Sequence, residues 1–78
     1  ETANLQRAVD AAAEQLSVIE HLAATGQLAM LSADLRETAE MRRTHPEVSI
    51  AELAALCHIS KSGMSHRLRK LRRAAEEV

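Results

Sequence analysis

Not one of the 78 residues is Phe, Tyr or Trp, although 46% of the chain is hydrophobic. Any core must therefore be built from Leu, Ile, Val, Met and Ala. Alanine is the best helix former, whereas β-strands favour the aromatic and β-branched side chains that are missing or scarce here. Two glycines and one proline leave few positions for tight turns. The composition therefore predicts a single small all-α domain with a modest core.

Apolar residues at alternating spacings of four and three predict a long amphipathic helix at the start of the chain. The stripe consists of Leu5, Val9, Ala12, Leu16, Ile19 and Ala23. Thr2 or Asn4 is a suitable cap for its start, and Gly26 suits its end. The linker that follows carries Leu28, Met30 and Leu31 and is expected to pack down. Residues 1–31 are thus predicted to form a helix and linker that pack on a bundle.

Three serines mark the starts of the later helices, because serine is a preferred N-cap. Ser32 opens a second helix that should stop before Pro46, with Arg42 and Arg43 in the last turn, where cations complement the helix dipole. Ser49 and the glutamate three residues later form a capping box.

Ser60 caps a last helix, which follows the short third helix after a turn of a few residues. This arrangement is the helix-turn-helix pattern, in which the second helix reads DNA. Residues 32–78 are predicted to form this unit, with a recognition helix at about 61–77. His58 occupies the turn position usually taken by glycine, and histidine tolerates positive φ better than most residues.

Charge is distributed unevenly along a chain whose net charge is −1. Residues 1–60 carry four basic and nine acidic side chains, whereas residues 61–78 carry six basic and two acidic ones. Met64, Leu68 and Leu71 recur at helical spacing and should face the core. The opposite side of the last helix would then be polar and basic, which suits a polyanionic partner.

The N-terminal part of a recognition helix reads base edges, and long basic side chains meet phosphates. The predicted base contacts are Ser62, Ser65, His66 and Arg69. The predicted phosphate contacts are Lys61, Arg67, Lys70, Arg72 and Arg73. Gly63 is predicted to let the backbone approach DNA closely. Arg69 is the expected guanine reader, because guanidinium can form paired hydrogen bonds with one base.

No catalytic or metal-binding constellation is evident, so we expect neither an enzyme nor a bound cofactor. Cys57 and His58 are adjacent, and adjacent helical side chains do not face each other. Cys57 is more simply a small buried residue, and a single cysteine favours a reduced, intracellular setting. No apolar run approaches the roughly 20 residues of a membrane span, and the start with Glu rather than Met suggests a fragment of a longer protein.

Other interpretations remain open at this point. A basic amphipathic helix can be merely solvated, or can bind a membrane surface or a partner protein. The main alternative is a protein-interaction module in which the first helix docks a sigma factor, RNA polymerase, a sister chain or an absent domain. Its contacts would come from Leu5, Val9, Leu16, Ile19 and Leu22. A hydrolase or metal enzyme is a third, poorly supported possibility.

Three segments resemble the C-terminal domain of the WhiA family of bacterial transcription regulators of sporulation and cell division. They are "NLQRAVDAAAEQL", "LRETAEMRRTHPEVSIAELA" and "ISKSGMSHRLRKL". The resemblance implies a helix-turn-helix similar to region 4 of primary sigma factors, which binds promoter DNA. It places the DNA-reading helix at Lys61 to Arg73, with Ser62, His66, Arg67 and Arg69 inside its motif.

The same resemblance implies partners and a location. Family members carry an N-terminal domain similar to LAGLIDADG homing endonucleases, and they are expected to contact a sigma factor or RNA polymerase beside DNA. The protein is accordingly expected in the cytoplasm, associated with the nucleoid and not with a membrane.

Overall fold

The computed structural model describes residues 2–77, with side chains described from residue 12 onward. Residues 2–77 form four α-helices, with a 3₁₀ turn at Leu28–Met30 between the first two. They are α1 (Thr2–Thr25), α2 (Ala33–Thr44), α3 (Ile50–Leu56) and α4 (Lys61–Glu76). Residues 2–77 contain no strand. The predicted all-α fold, with a long first helix and a C-terminal helix-turn-helix, is confirmed.

Serine side chains cap the three later helices as predicted. The Ser32 hydroxyl accepts a backbone N–H from the first turn of α2 at 3.5 Å. At α3 the capping box is complete: Glu52 N donates to Ser49 Oγ at 3.1 Å, and Ser49 N donates to Glu52 Oε1 at 3.4 Å. The Ser60 hydroxyl accepts a backbone N–H of α4 at 3.0 Å. Each of these three helices therefore begins where a short polar side chain satisfies one of its unpaired donors.

The core lies where α4 packs against the other three helices. It is built from small and aliphatic side chains, with a single thiol. These residues are Ile19, Leu22, Ala39, Leu53, Ala54, Cys57, Met64, Leu68 and Leu71. Because aromatic rings are absent, the helices must approach closely enough for alanine and leucine to fill the space between them.

The buried stripe of α1 differs from the predicted one near its end. Ile19 is buried as expected, but Ala23 is exposed and Leu22 is fully buried in its place, while Leu16 is only half-buried. Leu22 and Ala23 lie on either side of the line through Ile19, and the larger side chain takes the inward position because it removes more apolar surface from water. Other predicted features of α1 lie outside the described side chains: the caps Thr2 and Asn4, and the apolar residues Leu5 and Val9.

The linker after α1 packs down only in part. Leu28 and Leu31 are partly buried against the core, whereas Met30 is 79% exposed. The expectation that all three would pack is therefore wrong for Met30. In a 3₁₀ turn, residues three apart lie on the same side, so Leu28 and Leu31 face the core together. Ala29 and Met30, which lie between them, are exposed.

Arg42 is the largest fully buried side chain, at 1% exposure. Its position in the last turn of α2 was predicted, but its burial was not. Nη1 donates to the carbonyl oxygens of Val48 at 2.8 Å, His45 at 3.3 Å and Pro46 at 3.4 Å. Burial lowers the pKa of the Arg42 guanidinium, yet the group stays protonated because its ordinary pKa is so far above neutrality. The guanidinium thus binds the loop that connects α2 to α3.

The turn between α3 and α4 is a Schellman motif with histidine in the glycine position. Ile59 N donates to Ala54 O at 3.0 Å, and His58 N donates to Ala55 O at 3.1 Å. His58 has a φ of 59°, the left-handed conformation predicted for it. A residue with a Cβ in the left-handed conformation is less stable by about 1–2 kcal/mol, so the backbone of this turn is strained at His58.

Arg42→Met should lower the free energy of unfolding by about 2–3 kcal/mol, because it leaves buried carbonyl oxygens without a charged donor. Urea unfolding of the 78-residue chain measures this. Arg43→Met is the matched control, since Arg43 is exposed and forms only surface ion pairs with Glu20 and Glu40; it should change stability by less than about 1 kcal/mol. Equal losses for the two variants would contradict the anchoring role of Arg42.

His58→Gly should raise the free energy of unfolding by about 1 kcal/mol, since glycine adopts positive φ without strain. The same substitution at exposed His66, inside α4, should instead lower it by about 0.5 kcal/mol through lost helix propensity. Thermal and urea unfolding would show opposite signs for the two variants. A loss at both positions would contradict a strained turn.

Candidate nucleic-acid interface

One side of α4 faces the protein interior, which fixes the direction of every other side chain on that helix. Met64 is 0% exposed, Leu71 1% and Leu68 9%. These are the three residues predicted to face inward. Since α4 has a regular helical repeat, its polar residues must lie on the opposite side and on two flanks.

The outward side of α4 carries most of the residues predicted to meet DNA. Five of them are exposed in a row along the helix: Ser62, His66, Arg69, Lys70 and Arg73. The short polar side chains lie in the N-terminal half, and the long basic ones begin one turn later. The structure thus brings together three of the four predicted base contacts on one exposed surface.

Four of the basic residues of α4 have no internal partner among the side chains that the structure describes. Lys61, Arg69, Lys70 and Arg73 are all exposed, and none forms an ion pair with residues 12–77. Positive charge that is concentrated on one helix and left without internal compensation creates a field that attracts polyanions.

Arg67 lies on the flank that faces α2, away from this surface. Its guanidinium donates to Thr38 Oγ1 at 3.3 Å and Glu37 Oε1 at 3.5 Å, and Nη2 lies 4.0 Å from Asp34 Oδ1. Its side chain is 19% exposed, and Thr38 is completely buried. Arg67 was predicted to contact phosphate, but its guanidinium connects α4 to α2. These partners are about 30 residues distant in sequence, so local patterning could not indicate them.

Arg72 and Ser65 lie on the other flank, beside α1. Arg72 Nη1 is 2.9 Å from Glu14 Oε1, and its Nε is 3.7 Å from Glu76 Oε2. Ser65 is half-buried and borders a cleft of about 260 Å³ between α1 and α4 that Val18 also lines. Both residues therefore sit at the edge of the outward surface. Arg72 is 62% exposed, so its ion pairs are of the weak surface kind.

Gly63 has a structural reason to be glycine that the sequence did not reveal. A Cβ at this position would lie 3.2 Å from Ser60 Oγ and 3.7 Å from the Ile59 Cδ1 atom. The same Ser60 oxygen accepts the Gly63 backbone N–H that caps α4. The missing side chain therefore leaves room for the cap and the turn. The predicted close approach of DNA to Gly63 stays a separate, untested prediction.

The part of the chain that the structure describes offers little for metal or redox chemistry. Within it, no three His, Cys, Asp or Glu side chains are grouped so as to hold a metal ion. Cys57 is buried as predicted, and burial raises the pKa of its thiol, as does nearby Glu37, while Arg67 acts in the opposite direction. A thiol held protonated in this way is a poor nucleophile. None of the described helices has the length and apolarity to cross a membrane.

Comparison with known proteins agrees with this geometry. The family model described as the WhiA C-terminal HTH domain matches residues 1–75. No solved structure gives a significant match.

Curated relatives match along nearly the whole chain. A protein of Symbiobacterium thermophilum is 44% identical and one of Enterococcus faecalis 43% identical, each over 100% of this chain. A protein of Lacticaseibacillus casei is 47% identical over 97% of this chain. All three are named "Probable cell division protein WhiA". The chain spans about a quarter of the length of each relative, 26%, 26% and 25% respectively. With a family match over residues 1–75 and a helix-turn-helix whose capped helices and exposed basic face fit it, this chain belongs to the WhiA C-terminal helix-turn-helix family.

Proposed function

We propose that this domain binds double-stranded DNA sequence-specifically, with α4 lying in the major groove. The observation that supports this most directly is the row of exposed polar and basic side chains on α4. Its three cations, Arg69, Lys70 and Arg73, have no ion-pair partner among residues 12–77, and neither has Lys61 at the start of the helix. A helix of 16 residues is about 24 Å long, and the major groove accommodates a single α-helix.

Within this proposal, Ser62, His66 and Arg69 reach base edges. Ser62 and His66 occupy the first half of α4, the part of a recognition helix that approaches the groove floor, and Arg69 follows His66 by about one turn. Arg69 is assigned to a guanine, because its exposed guanidinium can donate to two acceptors of one base. Ser65 lies at the edge of the surface and would contact a base only on the α1 side of the groove.

Phosphate contacts are assigned to Lys61, Lys70 and Arg73, which are exposed around the ends and sides of the same surface. Arg72 can bind a phosphate only if it gives up its surface ion pair with Glu14. Breaking this pair costs little free energy, because exposed ion pairs are weak. Arg67 is left out of the set, because its guanidinium is already paired with Glu37 and Thr38 in a part-buried position.

At the level of the whole protein, we propose a transcription regulator of cell division and sporulation that acts at promoters on the nucleoid. The name of the relatives supports the cell-division part, and the helix-turn-helix supports DNA as the target. Contacts with a sigma factor or RNA polymerase, and with an N-terminal LAGLIDADG-like domain, belong to the same proposal and rest on the family resemblance.

The alternative, docking of a partner through the apolar face of α1, has less support. Ile19 and Leu22, two of the residues assigned to that contact, are 0% exposed because they form the core. Leu16 is half-buried. Among the described side chains, the apolar face of α1 is therefore packed into the core of this domain. DNA binding through α4 remains the better-supported function.

Duplex DNA should bind the 78-residue chain tightly at low salt and much less tightly as salt rises, because bound cations release counterions. Arg73→Ala should weaken binding to all sequences alike and reduce the slope of log K against log salt by about 1. Arg36→Ala, which removes an exposed arginine from α2, is the matched control and should change neither quantity. Fluorescence anisotropy with a labelled duplex measures both, and an unchanged slope for Arg73→Ala would reassign that residue.

Arg69→Ala should relax the preference at one base pair by about 1–3 kcal/mol while leaving the other positions of the site unchanged. Selection of bound fragments from a random duplex library, followed by single-base competition, measures the preference. A uniform loss over all sequences would instead assign Arg69 to a phosphate.

Gly63→Ala separates the two roles of this glycine. In the parent it should gain less than the usual stability of about 1 kcal/mol that alanine brings to a helix, because its Cβ crowds Ser60 Oγ. In a Ser60→Ala background the crowding hydroxyl is gone, and the substitution should recover the full gain. If Gly63→Ala leaves DNA affinity intact in both backgrounds, the proposed close approach of DNA is wrong. Equal gains in both backgrounds would contradict the crowding.

A further inference from the structure

The first helix places a carboxylate beside the cations of the proposed DNA-binding surface. Glu14 of α1 borders the cleft of about 260 Å³ between α1 and α4, and so do Arg69 and Arg72 of α4. Among the described side chains that line this cleft, Glu14 is the one acidic residue. Glu14 Oε1 lies 2.9 Å from Arg72 Nη1, the shortest ion-pair distance among residues 12–77. A negative charge therefore lies at the α1 edge of a surface that is otherwise polar and basic.

This edge lies where DNA phosphates are expected when α4 occupies the major groove. An α-helix with its side chains is about 10–12 Å across, and the groove is about 12 Å wide. A helix in the groove therefore has a sugar-phosphate strand along each side, and Arg72 on the α1 flank lies beside one of them. The carboxylate of Glu14 holds the place at Arg72 Nη1 that a phosphate oxygen would take.

We infer that Glu14 limits the affinity of this domain for DNA by competing with a phosphate for Arg72. The inference rests on the proposed binding of DNA through α4. If Glu14 keeps Arg72 in the complex, one phosphate contact is not made. If Glu14 releases Arg72, its carboxylate lies unpaired near the phosphates and repels them. Either result weakens binding to every duplex, because a phosphate contact does not depend on the base sequence.

Glu76 also contacts Arg72, but at a different atom of the guanidinium. Its Oε2 lies 3.7 Å from Arg72 Nε, and the two residues are four positions apart on α4. Nη1 can therefore exchange Glu14 for a phosphate while Nε stays beside Glu76. The competition belongs to the contact between α1 and α4 and not to the pairing within α4.

Glu14→Gln tests the inference, because glutamine keeps the length of the side chain and removes its charge. Fluorescence anisotropy of the 78-residue chain with a labelled random-sequence duplex at low salt measures the affinity. Binding should be about two- to fivefold tighter than in the parent, the change in affinity that corresponds to one exposed ion pair. The slope of log K against log salt should steepen by about 1, because one further cation meets a phosphate. An unchanged affinity and slope would overturn the inference.

Glu20→Gln is the matched control, because it makes the same change in charge on the same helix. Glu20 is 64% exposed and Glu14 56%, but Glu20 pairs with Arg43 of α2 and not with α4. Its replacement should leave the salt slope unchanged and the affinity nearly so. An equal gain for the two variants would show that only the net charge matters, and the competition for Arg72 would then be wrong.

Arg72→Ala, made in the parent and in Glu14→Gln, separates competition from general repulsion. Competition predicts that the loss of affinity is larger in the Glu14→Gln background, since only there is Nη1 free for a phosphate, so the two changes are not additive. Equal losses in the two backgrounds would show that Glu14 acts without Arg72 and would refute its competing role alone. A parent chain that binds no duplex at low salt would instead overturn the proposed function together with this inference.

Discussion

The buried guanidinium of Arg42 is the interaction on which the arrangement of the other helices depends. It sits at the end of α2 and donates to carbonyl oxygens of the loop that leads to α3. That loop carries Ser49, whose capping box starts α3, and α3 in turn packs against α4. A domain without aromatic residues has a core of small side chains, so a charged anchor of this kind fixes a connection that hydrophobic packing alone would hold weakly.

The basic residues of the last helix fall into two groups, one paired within the protein and one exposed to solvent. Arg67 donates hydrogen bonds to Glu37 and Thr38 within the protein and so holds α4 against α2. Arg69, Lys70 and Arg73 face outward and have no acidic partner among the described side chains. The division follows from the inward positions of Met64 and its neighbours, since these fix which basic residues face the protein and which face a ligand. The proposed DNA-binding surface is therefore a consequence of core packing.

Local patterns predicted much of this structure, because most of its determinants lie within one helical turn of each other. The serine caps, the left-handed His58 and the inward face of α4 all depend on neighbours three or four residues away. Arg42 was placed correctly in the last turn of α2, but its burial depends on how the chain folds back after Pro46, which no local pattern specifies. The pairing of Arg67 with α2 likewise depends on residues about 30 positions away in the sequence.

The central claim is that the outward side of α4 is the surface that meets DNA. Chemical-shift mapping by NMR tests this most directly: ¹⁵N-labelled protein is titrated with a short DNA duplex at low salt. The account predicts that the amide signals shift most within α4, from Lys61 to Arg73, and in the turn before it, while those of α2 near Arg36 stay in place. Shifts concentrated on α1 and α2, with α4 unaffected, would contradict it.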